Sequence, residues 1–220
     1  MIKEFIEKNK GRTAYLEHEV KGLLKEAGLP VPLGRFIKSK EEISSLPDIK
    51  YPLVAKVSST KITSKSDVQG VRTGLKNWDE LYNAVSELLG ITHAEGVLVE
   101  EMAPDGLEVI VGGVTDRQFG PVVMFGIGGI FVELFKDVAF GLAPISVEDA
   151  FRLIKQIRGY PLLEGYRGKP AADINALLKI IVVVSELMGS GLIKELDLNP
   201  VALYPEGAII LDAKMTIITS

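Results

Sequence analysis

Residues 194–200 read KELDLNP, and this alternation constrains the chain more than any other stretch. As a strand it puts Glu195, Asp197 and Asn199 on one face and Leu196 and Leu198 on the other, because successive side chains point to opposite sides. Such a strand needs a sheet with one face in a core and one face carrying oxygen-bearing groups. Past the turn YPEG, Asp212 interrupts a second apolar run, IILDAK, read as the partner strand. A carboxylate is rarely placed there without a partner, since burying an unpaired charge is costly. Oxygens converging from neighbouring strands suit a hard cation such as Mg²⁺, which takes one or two such ligands and completes its shell with water and phosphate. The other reading is a solvated face with ion pairs to Lys194 and Lys214.

The remaining elements mix helices and strands. Thr13 caps an amphipathic helix over AYLEHEVKGLLKEAG, with Leu16, Val20, Leu23 and Leu24 as its stripe and Gly28 and Pro30 as its stop. LPVPLGRFIKS is extended, KEEISSL is a short helix, and YPLVAKV (51–57) is a strand whose hairpin partner runs from Gly70 to Gly74. A second amphipathic helix covers 77–90, with Trp78, Leu81, Val85 and Leu88 on one face. GVLVEEM and LEVIVGGVT are strands joined by APDG, and PVVMFGIGGIFVELF is a strand, a glycine-rich bend and a strand. SVEDAFRLIKQI, capped by Ser146, and PAADINALLKIIVVVSELMG are helices, and two strands close the chain. The order predicts α+β rather than regular βαβ winding. With 220 residues a real core is available. The expectation is one domain of two lobes, about 12–101 and about 102–220, meeting at a seam.

Composition removes several function classes. There is no cysteine, which excludes disulfides, thiolate nucleophiles and Cys-ligated zinc, and His18 and His93 are the only histidines. A net charge of -4 gives no basic face for nucleic acid. The charged start MIKEFIEKNKGR lacks the apolar core of a signal peptide, and the longest apolar run, IIVVV, is far shorter than a membrane span. A soluble cytoplasmic protein without membrane or nucleic-acid partners is expected.

Three further stretches carry possible chemistry. Lys56 ends YPLVAK beside the loop VSSTKITSKSDVQG, where an ammonium can meet phosphate as a point charge. Lys65, Ser66 and amides near Gly70 would add donors, although many strands end in lysine without such a role. In VLVEEMAPDGLEVIVGG, a hinge at Glu100, Glu101 and Met102 would expose backbone groups to an adenine edge, with Glu108 accepting from ribose hydroxyls. The alternative for the two glutamates is an acidic edge that protects a sheet from aggregation. In FGIGGIFVE, Gly126, Gly128 and Gly129 precede Glu133, without the helix that a dinucleotide fingerprint needs. Glycines this dense imply close backbone approach to a strand or a phosphate. In LLEGYRGKP, Arg167 sits between glycines, where its guanidinium could meet a phosphoryl oxygen or simply belong to a turn.

Together, LEHEVKGLLKEAGLPVP, YPLVAKV, KSDVQGV, VLVEEM with GLEVIVGG, FGPVVMFGIGGIFVE with DVAF, LLEGYRG, and KELDLNP with LDAK run in order from residue 11 to residue 214. In this the chain resembles the ATP-grasp, or β, subunit of ADP-forming acyl-CoA synthetases of the acetate–CoA ligase type. It resembles the β subunit of succinyl-CoA synthetase more distantly. The resemblance implies an ATP-grasp fold with nucleotide between two α+β lobes. It implies Lys56 on nucleotide phosphate, Glu100 to Met102 bordering adenine, and Glu108 at the ribose. Asn199 and Asp212 would hold Mg²⁺, with Asp197 and Glu195 close by. Ser64, Lys65, Glu133 and Arg167 become candidates for the phosphoryl-transfer step. The family reaction is acyl-CoA + ADP + phosphate ⇌ carboxylate + ATP + CoA, with acyl chemistry and a phosphohistidine on a CoA-binding α subunit. A heterotetramer of two α and two β subunits is the implied assembly.

Two positions depart from that pattern. Many such enzymes read HKSD, with a histidine thought to relay phosphate, where this chain reads SKSD with Ser64. A phosphoserine would be too stable to return its phosphoryl group to ADP. Gly141 in DVAFGLAP stands where arginine is usual, which would remove one possible phosphate contact. Three functions follow: an active β subunit receiving phosphate directly, a nucleotide-binding module without turnover, and an ATP-grasp ligase joining a carboxylate to an amine.

Overall fold

The computed structural model describes residues 1–46, 48–129 and 135–218. In chain order its elements are α1 (Ile2–Lys8), α2 (Glu17–Glu26), β1 (Gly34–Ile37), a 3₁₀ turn (Lys40–Ser45), β2 (Leu53–Ser58), β3 (Val71–Leu75), α3 (Trp78–Leu89) and β4 (Gly96–Glu101). Then come β5 (Leu107–Asp116), β6 (Gly120–Ile127), β7 (Val138–Leu142), α4 (Val147–Ile154), α5 (Tyr160–Leu163), α6 (Ile174–Gly189), β8 (Ile193–Leu203), β9 (Ala208–Ile210) and β10 (Lys214–Ile217). They fall into two units: residues 16–19 with 32–104, and residues 1–15 and 20–31 with 105–220.

The smaller unit is an antiparallel sheet in the order β1-β4-β2-β3. Leu53, Ala55 and Val57 alternate along β2 into a core with Leu81, Ala84, Val85 and Leu88 of α3. That alternation leaves Val54, Lys56 and Ser58 on the opposite face. Asn77 starts α3 by accepting from the Glu80 amide, the N-cap role of a short amide side chain. The expected hairpin forms, with Lys56 opposite Val71. Trp78 departs from its expected apolar stripe. At the first helical position it is 52% exposed and stacks on Tyr82, while Ala84 takes the buried place.

The larger unit holds a sheet in the order β10-β8-β5-β6-β7, with β9 also on β8. One face packs Val109, Val111, Val123, Phe125, Leu196 and Leu198 into a core with α6. This burial explains why α6 is apolar over most of its circumference. Ser146 and Asp149 start α4 with a reciprocal capping box.

Elsewhere too the structure differs from the expected elements. Residues 2–8 form α1, for which no expectation existed. Thr13 does not cap α2: its carbonyl accepts from Ile217 and Ala14 bridges Thr216, so the helix starts only at Glu17. DVAFG forms β7, whereas the strand expected after the glycine-rich bend falls on 130–134, outside the described residues. The last strand is two, β9 and β10, separated at 211–213, so Asp212 lies in the break rather than inside a strand.

Candidate functional site

A buried charge cluster lies on the Lys56 face of the smaller sheet. Lys56 Nζ is 2.8 Å from Glu100 Oε2 and 3.0 Å from Glu17 Oε1, and all three side chains are nearly closed to solvent. The other oxygen of Glu17 is 2.9 Å from Lys65 Nζ. Two ammonium groups and two carboxylates therefore neutralise one another, which is the condition for keeping charges in a protein interior. The Lys56 ammonium donates to both carboxylates. Two residues further along the same strand face, the buried Ser58 hydroxyl finds no hydrogen-bond partner among the described residues. A buried hydroxyl in that condition signals a missing partner, since desolvation without a hydrogen bond costs about 1–3 kcal/mol. Beside Lys56 an incoming phosphate oxygen would fit it.

The sequence did not mark Glu17 or Ser58 as functional. Glu17 fits the helix pattern without marking itself as functional, and it shares the first turn of α2 with one other acid, Glu19. Its neighbour His18 stacks on Phe36 at 4.2 Å.

The loop after β2 is a built turn. Gly70 donates to the Lys65 carbonyl at 2.6 Å, Gln69 donates to Ser66, and Ser64 Oγ accepts from the Asp67 amide at 3.3 Å. Ser64 thus caps the turn that presents Lys65 to Glu17, a role suited to a short hydroxyl side chain. Gly70 has to be glycine, because a Cβ there would lie 2.3 Å from Val57.

The hinge residues divide their tasks. Glu100 serves Lys56, and Glu101 accepts from the Lys50 amide. The Glu101 and Met102 amides donate to Leu33 and Pro52. The edge-protecting reading of the two glutamates does not hold, because β4 is an interior strand paired to β1 and β2.

In the larger unit Glu108 is exposed on β5, and the glycine-rich bend comes against it. The Gly128 amide donates to the Glu108 carbonyl at 2.8 Å, and a Cβ on Gly128 would sit 3.0 Å from that oxygen. For Gly128 the close approach is to a strand. Gly129 follows at φ +62, a left-handed conformation natural to glycine. Glu133 lies outside the described residues.

Leu196 and Leu198 are buried, whereas Glu195 and Asn199 are exposed and Asp197 is half-buried, as alternation requires. Asp197 pairs with Lys214, and Val201 pairs with Ile210. The register is the same on both sides of the 211–213 break, so Asp212 lies opposite Asn199. Leu211, donating to the Pro200 carbonyl at 2.9 Å, keeps the break in line. Among the described residues no group of three or more His, Cys, Asp or Glu could hold a metal. An amide and one carboxylate facing each other instead fit a cation that takes most of its ligands from phosphate and water, the habit of Mg²⁺.

Gly141 faces the covered side of the sheet, where a Cβ would meet Val123, Ile145 and Leu153 at 3.6–3.7 Å. Glu195, Asp197 and Asn199 lie on the other face. Arg167 lines a cavity together with Tyr166, Lys169 and Tyr204.

Comparison with known proteins matches this arrangement along nearly the whole chain. A family model described as an ATP-grasp domain matches residues 7–217. Subunit beta of the ADP-forming acetate–CoA ligase I of Pyrococcus furiosus is 44% identical over 223 residues, covering 97% of this chain and 96% of that protein. A solved structure of the Ca. Korarchaeum cryptofilum acetyl-coenzyme A synthetase 1, in complex with coenzyme A, Ca-AMPCP and HgCl⁺, matches with a TM-score of 0.90 at 40% identity, covering 99% of this chain and 98% of that one. A second structure of that enzyme, with coenzyme A and Mg-AMPPCP, has its phosphohistidine segment pointing towards the nucleotide binding site. It matches with a TM-score of 0.80 at 40% identity, covering 97% and 96% of the two chains.

Proposed function

Because the chain belongs to the ATP-grasp family, among the β subunits of ADP-forming acyl-CoA synthetases, we propose that it transfers a phosphoryl group between a partner's phosphohistidine and ADP. The observation that carries this reading is Lys56, held by Glu17 and Glu100 beside the unpartnered Ser58 hydroxyl. A buried ammonium kept in place by two carboxylates is preorganised to receive phosphate oxygens without reorganising at the moment of transfer.

In the ATP-forming direction the bond from phosphorus to the partner's imidazole nitrogen breaks as a new bond forms to the terminal phosphate oxygen of ADP. The chain positions the reactants and balances charge, which is most of what phosphoryl transfer asks of a protein. Lys56 and Ser58 bind phosphate oxygens, and Lys65 supports them through Glu17. Glu108 accepts from the ribose. The Glu101 and Met102 amides are engaged within their own unit, so this segment borders adenine through carbonyl acceptors and the Met102 side chain. Asn199 and Asp212 would hold Mg²⁺, which when bound neutralises phosphate charge, with Asp197 and Glu195 flanking them. The acyl chemistry belongs to an α subunit, as the phosphohistidine segment of the Korarchaeum enzyme suggests by analogy.

Ser64 caps its turn, so the reading has phosphate pass directly to ADP with no relay on the loop. The same cap favours one other function, a nucleotide-binding module without turnover. To decide, the chain is mixed with its α subunit, Mg²⁺, ADP, phosphate and acetyl-CoA, and ATP is measured beside a Ser64→His variant. ATP formation by the parent chain supports direct transfer. ATP from the Ser64→His chain alone shows that a relay is required. Nucleotide binding without ATP from either chain supports the non-catalytic module.

A further inference from the structure

A cavity of about 520 Å³ opens where β5 begins and β8 ends, under the loop that follows α5. Its volume is that of a small-molecule site. Leu107, Leu162 and Leu203 supply apolar wall, Tyr166 and Tyr204 supply ring faces, and Arg167 and Lys169 stand against a single acid, Asp105. The lining excludes Lys56, Glu108, Asn199 and Asp212. Burial first, and then the negative charge of Asp105, push the Tyr204 phenol up, so that ring stays neutral across the physiological range.

The loop is rigidly built. Ala172 donates to the Leu163 carbonyl at 2.9 Å and Asp173 to the Tyr204 carbonyl at 2.8 Å, pinning its far end to α5 and β8. Lys169 donates to the Tyr166 carbonyl at 3.1 Å, closing a four-residue turn. Its central residues, Arg167 at φ +49 and Gly168 at φ +82, are both left-handed, the pattern of a type I′ turn. Asparagine, aspartate or glycine usually fills the first of these positions. A Cβ on Gly165 would lie 2.9 Å from the Lys169 carbonyl, so the loop is also folded tightly on itself. The Arg167 guanidinium carbon lies 5.4 Å from the centre of the Tyr166 ring, so the left-handed residue keeps its charge beside an aromatic face of the cavity. Strain of this kind collects where a side chain is held for a ligand.

We propose that this cavity binds a small organic anion with an apolar, preferably aromatic, body. Its charged end pairs with Arg167 and Lys169, and its body lies against Tyr166, Tyr204 and the leucines. An arginine fork and an ammonium recognise carboxylate, sulfonate or phosphate ends alike. A flat body gains from the tyrosine faces. The site is separate from the nucleotide reading above and does not depend on it.

The test titrates the full chain with 8-anilinonaphthalene-1-sulfonate, an aromatic sulfonate, and follows its fluorescence with and without saturating Mg²⁺ and ADP. One saturable component is expected, insensitive to the nucleotide. It should weaken about tenfold or more in the Arg167→Gly, Lys169→Gln double variant, as loss of charge-assisted hydrogen bonds predicts. Glycine accepts the left-handed conformation at 167, so this variant keeps its fold, which thermal melts verify. Leu107→Trp, which fills the cavity wall, should also abolish the component. The proposal is overturned by any of three outcomes: no saturable component, a component unchanged in the double variant, or one displaced by the nucleotide.

Discussion

Glu17 and Lys56, 39 residues apart in the chain, form a buried ion pair at 3.0 Å, with side chains only 3% and 11% exposed. The second oxygen of Glu17 reaches Lys65, so one carboxylate joins the end of β2 to the loop that carries Ser64. Removing one partner leaves the cluster one charge out of balance, a loss of up to about 3–5 kcal/mol. Glu17→Gln and Lys56→Met are each expected to lose stability on that scale in urea unfolding. The double variant should lose clearly less than the sum. Additive losses would mean that the pair is not a functional unit.

The Lys56 face should respond to nucleotide. A ligand selective for the native chain stabilises it by about 2.7 kcal/mol at a hundredfold excess over Kd. Thermal melts with Mg²⁺ and ADP should show this shift in the parent and lose it in Lys56→Gln. Ser58→Ala should leave the free chain as stable as before, or up to about 1 kcal/mol more stable, because an unsatisfied hydroxyl is removed. Its nucleotide affinity should fall. Unchanged affinity in calorimetry would place Ser58 outside the phosphate site.

Metal dependence separates the two units. If Asn199 and Asp212 hold Mg²⁺, the cation should tighten ADP binding and EDTA should remove the gain. Asn199→Ala and Asp212→Asn should lose most of that gain, with metal-free binding within about twofold of the parent, since phosphate and water supply the rest of the shell. A full Mg²⁺ gain in both variants would contradict the assignment.

Much of this was legible in the sequence, for a definite reason. Period two in KELDLNP put Glu195, Asp197 and Asn199 on one face, and the structure keeps Leu196 and Leu198 buried beneath them. Ser146 and the β2–β3 hairpin were equally local signals. What local pattern cannot supply is pairing across long separations. Glu100 finds Lys56 over 44 residues, and Glu17 looked like any acidic residue in a first helical turn. The apolar flanks of Asp212 predict a strand through it, yet three residues break β9 from β10. Helical spacing alone puts Trp78 in a core, but a residue in a first turn can stack on Tyr82 instead.

Asp173 carries a pH-dependent anchor. Its carboxylate accepts from the Ala176 and Gly207 amides, which hold its pKa below the usual carboxylate range. A carboxyl with a lowered folded pKa contributes stability above its unfolded pKa and loses it as pH falls through the folded value. Asp173→Asn is therefore expected to lower the melting temperature at pH 7 and to differ progressively less from the parent as the pH drops below 4. A difference that is constant with pH would show that charge at the cap contributes nothing.

Ser64 should matter to its turn more than to the chemistry. Ser64→Ala removes the hydrogen bond from the Asp67 amide, a loss of about 0.5–1.5 kcal/mol. Hydrogen exchange at Asp67 should rise, with ATP formation within a few-fold of the parent. Abolished turnover with intact nucleotide binding would make the hydroxyl a participant.

Transfer of labelled phosphate tests the central claim most directly. The chain is incubated with its α subunit, Mg²⁺ and ATP labelled in the γ-phosphate, and the α subunit is then assayed for acid-labile label. The account predicts label on an α-subunit histidine that depends on the parent chain and is lost with Lys56→Gln. Label that is absent while the nucleotide binds, or that survives Lys56→Gln, would contradict it.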